Sequence, residues 1–363
     1  MPVSANTSQH EVHGQGLLHM KPATWRWSRA IRAAFSIGLP FAVGLALGDI
    51  MTGMWIAMGC LMMATGERYG PYREVCLTLA VSAPIGALGY LAGYLGLLPW
   101  WLVVLFMALI GLGAGFLNSR GRMLSIGTLQ TLLVASIALG VPAIAPFWEP
   151  AVLYLVGAAF YALLLGAEIL VRGWHAQDVS ETATVATAAP VAAATSSRPE
   201  TSVGGAVQQA LALALALCLG VAYSARWLDS SPHWFWIPLT VGLVMKPDFG
   251  SIYDRALQRI IGTVVGVIIG ALVLAVVPKG YLFVLIMALL AGVLPWAMQR
   301  SYILQAVFLT PLILMLVDVI VPGTGSVDDA LQRLLDTVIG GVIVILLGCL
   351  PWRHASRVSK ARP

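Results

Sequence analysis

The sequence predicts an all-α integral membrane protein of about twelve transmembrane helices, built as two parallel six-helix repeats related by a pseudo-two-fold axis along the membrane normal. Three observations predict this. The composition is too apolar for a soluble domain. Apolar runs of spanning length recur on both sides of a polar middle segment. The basic residues fall almost entirely on one side of the resulting topology.

Of the 363 residues, 59% are hydrophobic and 10% charged, against roughly 25% charged in soluble domains. The mean hydropathy is +0.87. A soluble globule could not hide so much apolar surface, so a cytosolic enzyme, a disordered chain and a disulfide scaffold are excluded. Cys60, Cys76, Cys218 and Cys349 lie in apolar runs without a CxxC pair and read as small buried hydrophobes. The net charge of +5 follows from topology and does not call for nucleic acid. The first twenty residues are polar and lack the apolar region of a signal peptide. His10 and His13 are three apart, not the four of HExxH, so with His19 they read as a solvated tail without metal.

A spanning helix needs about 20 mostly apolar residues. Six such runs occupy roughly 30–48, 51–66, 75–97, 100–117, 123–141 and 149–171, and six more roughly 205–228, 234–246, 257–277, 280–297, 301–321 and 329–350. This divides the chain into a cytoplasmic polar tail (1–27), a first membrane repeat (28–172), a flexible linker rich in Ala, Thr, Ser and Pro (173–204), a second repeat (205–351) and a basic tail (352–363). The second run of each half is short and reads as a tilted or broken helix. With a cytoplasmic N-terminus, only Arg226, Lys279 and Arg333 of the 21 basic residues fall outside or near the outer face. Both termini are therefore expected in the cytoplasm. An offset of 181 aligns Trp55-Ile56 with Trp236-Ile237, Tyr72 with Tyr253 and Gly89 with Gly270.

The candidate functional residues concentrate in the second half. Gly262, Gly266 and Gly270 recur every four residues and give one smooth helix face. Arg255 and Arg259 share a face at the expected cytoplasmic mouth. They read either as inside anchors or as guanidinium forks that bind and orient an anionic substrate. Arg333 and Asp336, three apart in the last span, read either as a packing ion pair or as a proton-coupling site. Gln305, Thr310 and Pro311 in the eleventh span, and Thr128, Gln130 and Thr131 in the fifth, read as substrate contacts or as interhelical glue. Trp55, Trp234, Phe235 and Trp236 read as interface-belt residues or as stacking partners for an aromatic ring. A P-loop, a GxSxG elbow and a DDxxD motif are all missing from the sequence. No catalytic residue, metal ligand or cofactor is assigned, and the chain is not read as an enzyme.

Trp236-Ile-Pro-Leu-Thr240, then Arg259-Ile-Ile-Gly-Thr263-Val-Val-Gly266, Phe308-Leu-Thr-Pro311 and Arg333-Leu-Leu-Asp-Thr337-Val-Ile-Gly340, in this order, resemble the signature region of the fusaric acid resistance (FUSC) family. The match covers about 235–350 well and 50–140 weakly. The resemblance implies an inner-membrane, aromatic acid exporter-like protein with distant kinship to plant anion channels that pair two six-helix subunits. Larger family members carry a soluble domain after each membrane half. Here a linker and a basic tail stand in those places, and the first half reads Thr-Leu-Ala-Val-Ser from Thr78 where the second has Arg-x-x-Gly-Thr.

On this resemblance the leading reading is a proton-driven secondary exporter of small organic, chiefly aromatic carboxylic, acids from a bacterial cytoplasm. Arg255, Arg259 and Lys246 gather the anion. Trp236 and Tyr253 contact its ring. Thr240, Thr263, Gln305 and Thr310 line its path. Asp336, with Arg333, carries the proton. A passive anion channel and a non-transporting scaffold are the alternatives. The partners expected are the bilayer, the organic anion and protons, with no nucleic acid. Homo-oligomerisation and a periplasmic adaptor are left open.

Overall fold

The computed structural model describes residues 20–67, 70–141, 146–173, 205–228, 234–245, 252–320 and 327–348. Residues 1–19 of the polar tail, 174–204 of the linker, Lys246, and 349–363 with Cys349 and the basic tail lie outside these residues. The described residues are all-helical, and the protein is integral to the membrane in many passes. Its α-helices are α1 (Trp27–Leu47), α2 (Ile50–Gly66), α3 (Tyr72–Leu91), α4 (Trp100–Asn118), α5 (Arg122–Gly140), α6 (Trp148–Arg172), α7 (Gly205–Ser224), α8 (Trp236–Val244), α9 (Ile252–Val276), α10 (Tyr281–Arg300), α11 (Tyr302–Ile320) and α12 (Val327–Ile343). Ten helical stretches among the described residues are long and apolar enough to cross a bilayer. Helix α2, with 17 residues, and helix α8, with 9, are too short. These are the two runs the sequence marked as short.

Local chemistry explains the tightest connection. Gly48 takes φ 75, a left-handed conformation that suits glycine, and its N–H returns to the α1 carbonyls. Asp49 then caps α2, accepting from the Thr52 N–H at 3.1 Å. A Cβ on Gly44 would meet the Asp49 carbonyl at 2.7 Å, so only glycine lets α1 and α2 approach this closely.

Packing follows small residues. Helix α9 lays Gly262, Gly266 and Gly270 against α11, where added Cβ atoms would meet the Ile303 carbonyl at 2.6 Å, Thr310 at 2.8 Å and Leu314 at 2.9 Å. In the first half α3 packs on α5 in the same way, with Gly89 against the Thr131 carbonyl at 2.6 Å and Val134 at 2.9 Å. Gly157 of α6 abuts the Ile56 carbonyl of α2, and Gly340 of α12 abuts the Ile237 carbonyl of α8 at 3.0 Å. Two seams cross between the halves. Gly111 and Gly115 of α4 seat Leu219 and Ala212 of α7. Gly292 and Ala288 of α10 seat Ala30 and Gly38 of α1. Helices α2, α5, α8 and α11 are the most buried, while α4, α6 and α10 present Trp101, Leu105, Leu163, Leu285 and Leu289 outward, as lipid-facing helices do.

Candidate functional site

The sequence supplies the second half with charges inside apolar helices, and the fold turns most of them inward. Arg255, Arg259 and Thr263 follow one another at four-residue spacing on α9 and are all buried. Arg333, Asp336 and Thr337 of α12 are buried too, as are Thr240 of α8 and Gln305 and Thr310 of α11. With 1.5 Å rise per residue, Arg259 and Arg333 each stand about 10 Å inside their helices, not at the ends. Arg259 is 0% exposed and Arg333 1% exposed, so neither reaches water as an interfacial anchor would. Arg259 belongs to the interior and not to a surface mouth.

These two guanidiniums define the site. Arg333 lies over the Trp236 ring with its guanidinium carbon 3.8 Å from the centroid. That cation–π contact occupies the ring face that the sequence reading offered to an aromatic substrate. Arg333 is within electrostatic range of Arg259, which repels it, and of Asp336, which attracts it. Tyr302 is in range of Arg255 and Arg259 and donates its hydroxyl to the Leu243 carbonyl at 2.8 Å. None of the six nitrogens of Arg259 and Arg333 has a hydrogen-bond partner among the described residues. The buried hydroxyls of Thr240, Thr263 and Thr310 likewise have none. Buried polar groups are almost always satisfied, so these unsatisfied donors stand out. Guanidiniums carry forked donors of the kind that bind oxyanions.

Other candidates fall elsewhere. Tyr253 is 51% exposed at the start of α9 and does not join the group. In the first half, Gln130 donates to the Met62 carbonyl at 2.7 Å and accepts from the Tyr154 hydroxyl at 3.3 Å. Thr131 donates to the Ile85 carbonyl at 2.5 Å. These side chains are interhelical glue. Cys60 and Cys218 are buried and Cys76 is half-buried.

A second buried charged cluster was not singled out from the sequence. Glu67, at the end of α2, accepts from Arg29 Nε at 2.7 Å and from Arg32 at 2.5 and 2.6 Å, and also from the Tyr161 hydroxyl. Arg32 also pairs with Glu168 of α6, which accepts from Tyr72 at 3.1 Å. Arg29 and Arg32 thus meet both carboxylates, and Arg172 makes a longer contact with Glu168 at 4.0 Å. The available signal was Glu168, an acid within the apolar run Leu163-Leu-Leu-Gly-Ala-Glu-Ile-Leu170. Of the three outer exceptions to the basic split, Lys279 pairs with Asp318 at 2.9 Å, and Arg226 covers the Trp100 ring at 4.3 Å.

Residues 223–347, which include Trp236, Arg259 and Arg333, match the family model described as fusaric acid resistance protein-like. The inner membrane protein YccS of Escherichia coli is 34% identical over 139 residues, 38% of this chain and 18% of YccS. The uncharacterized membrane protein YvaC of Bacillus subtilis is 34% identical over 123 residues, 34% of this chain and 20% of YvaC. The matches thus span about a fifth of these relatives. No solved structure matches. Over residues 223–347 the chain is thus similar to membrane proteins of the fusaric acid resistance-like family.

Proposed function

We propose that the protein is a secondary transporter that exports small organic acids, aromatic carboxylates foremost, across the inner membrane with proton coupling. The observation that carries this reading is the pair of fully buried guanidiniums, Arg259 and Arg333, without hydrogen-bond partners among the described residues. Such a pair is costly in a membrane interior and is kept where an anion periodically satisfies it. The carboxylate bridges the two arginines, Thr240, Thr263, Thr310 and Gln305 take its remaining lone pairs or polar substituents, and Trp236 fixes Arg333 from behind. Arg255 adds positive potential one helical turn before Arg259. Asp336, beside Arg333, exchanges the proton: its charge balances Arg333 when the anion is absent.

The architecture that serves this function is twelve passes in two repeats, with both termini in the cytoplasm. The recurrence of the α3–α5 seam as α9–α11, and of α2–α6 as α8–α12, supports the repeat. The split of basic residues supports the orientation.

Flux of labelled aromatic carboxylates in proteoliposomes, with and without an imposed pH gradient, tests the proposal. Gradient-driven accumulation that disappears in Arg259→Ala and persists in the exposed-site control Arg120→Ala is the expected result. Undiminished flux in Arg259→Ala refutes the site. Downhill flux indifferent to the gradient refutes the carrier in favour of an anion channel.

A further inference from the structure

We infer that the seam between α1 and α10, where the two halves meet, holds the headgroup of an anionic phospholipid. Two adjoining cavities open there. The inner one, about 90 Å³, is lined by Arg29, Glu67, Tyr161, Pro295, Met298 and Gln299. The outer one adds Trp25, Arg26 and Trp296 and shares Arg29, Pro295 and Gln299 with the first. The seam is therefore a slot with mixed apolar and charged walls at the end of two helices that expose apolar side chains. It has room for more than one water or for the polar end of a lipid.

Charge selects the sign of the occupant. Arg29 and Arg32 are ion-paired with Glu67 and Glu168, which Arg172 also approaches, and Lys21, Arg26 and Arg300 bring further basic side chains to the same end of the seam. The Lys21 N–H donates to the Arg300 carbonyl at 2.9 Å, which places Lys21 beside Arg300 and blunts the negative end of the α10 dipole. The start of α1 adds a positive dipole end on the other wall.

Aromatic and apolar neighbours select a lipid over a soluble anion. Trp25 contacts Trp27 at 5.6 Å and Trp296 at 6.1 Å between ring centroids, and Arg300 stands 5.5 Å from the Trp296 centroid. Clustered tryptophan and arginine at a helix end is the chemistry of the headgroup level. Beyond the slot, Ile31 and Phe35 of α1 and Leu285 and Leu289 of α10 are exposed on either side of the seam. They offer acyl chains an apolar track leading away from the phosphate. A basic pocket between transmembrane helices is a general solution for anionic headgroups.

The test uses the purified full-length protein in a neutral detergent, titrated with phosphatidylglycerol, phosphatidylcholine of the same acyl chains, or inorganic phosphate, and read by native mass spectrometry. Phosphatidylglycerol should bind more tightly than phosphatidylcholine. Each basic residue near an anionic surface contributes about fivefold, so the double variant Arg26→Gln with Arg300→Gln should lose on the order of 25-fold of that preference. The charge-keeping pair Arg26→Lys with Arg300→Lys should retain most of it, and Arg120→Gln, exposed elsewhere, should retain all of it. Equal binding of the two lipids, or a preference unchanged in the double Gln variant, overturns the inference. Inorganic phosphate that competes with phosphatidylglycerol at millimolar concentration overturns the lipid assignment in favour of a soluble anion.

Discussion

Replacing Arg259 by Met should stabilise the protein while abolishing transport. Removing a buried arginine from a membrane helix recovers up to roughly 2.5–3.5 kcal/mol on insertion scales. Arg259 has no hydrogen-bond partner among the described residues to offset that cost, and it is also repelled by Arg333. Methionine keeps an unbranched apolar stem of similar reach, so the gain should be about 2–3 kcal/mol, on the order of 30- to 150-fold in the unfolding equilibrium. Arg32 supplies the opposite case. It bridges Glu67 and Glu168, and Arg32→Met leaves both carboxylates buried without it, a loss of about 3–5 kcal/mol. Unfolding of the two variants and wild type in mixed micelles, at graded denaturing detergent, reads the difference in sign. A saturating aromatic carboxylate, at about 100 times its Kd, should stabilise wild type by about 2.7 kcal/mol and leave Arg259→Met unmoved. If Arg259→Met loses stability as Arg32→Met does, Arg259 is a structural pairing residue and the anion-site argument fails.

Other expectations are independent of that pair. Gly262→Leu drives a side chain into Ala306 and the Ile303 carbonyl, which an added Cβ would already meet at 2.5 and 2.6 Å; a thermal-unfolding loss of about 1–3 kcal/mol should result. Gln130→Leu strands the Met62 carbonyl and the Tyr154 hydroxyl and should cost about 1–3 kcal/mol, with anion affinity in a binding assay unchanged. Asp336→Asn should leave downhill carboxylate exchange intact in proteoliposomes and remove accumulation driven by a pH gradient. Retained gradient-driven accumulation would take the proton role away from Asp336.

Much of the fold was legible because bilayer length and apolar runs leave few options. The short α2 and α8 were visible as runs of fewer than about 18 apolar residues. The buried arginines were legible as charges at helical spacing within apolar segments. Tyr253 shows where reading stopped early: it precedes Arg255 by two positions, about 200° around a helix, so a buried Arg255 already turns Tyr253 outward. Trp236 was assigned to a substrate ring because the sequence does not say that Arg333, nearly a hundred residues later, covers its face. The Arg29–Arg32–Glu67–Glu168 cluster was missed for the same reason. Its members lie on three helices, and only the packing of α1, α2 and α6 brings them together. Gln130 and Pro311 occupy comparable places in the two halves, yet one bridges helices by hydrogen bonds and the other packs against Gly270.

The crossed seams have a consequence for biosynthesis. The small-residue face of α1 waits for α10, and about 250 residues separate the end of one from the end of the other. At ordinary rates of translation that interval is on the order of tens of seconds. During it α1 sits in the bilayer with Ala30, Ala34 and Gly38 turned toward lipid or a chaperoning insertase. The α4 face is relieved sooner, by α7. The first half is thus inserted before it is finished, and only the second half completes it. A ribosome that stalls between α7 and α10 would leave a protein with one seam closed and the other open, a natural substrate for membrane quality control.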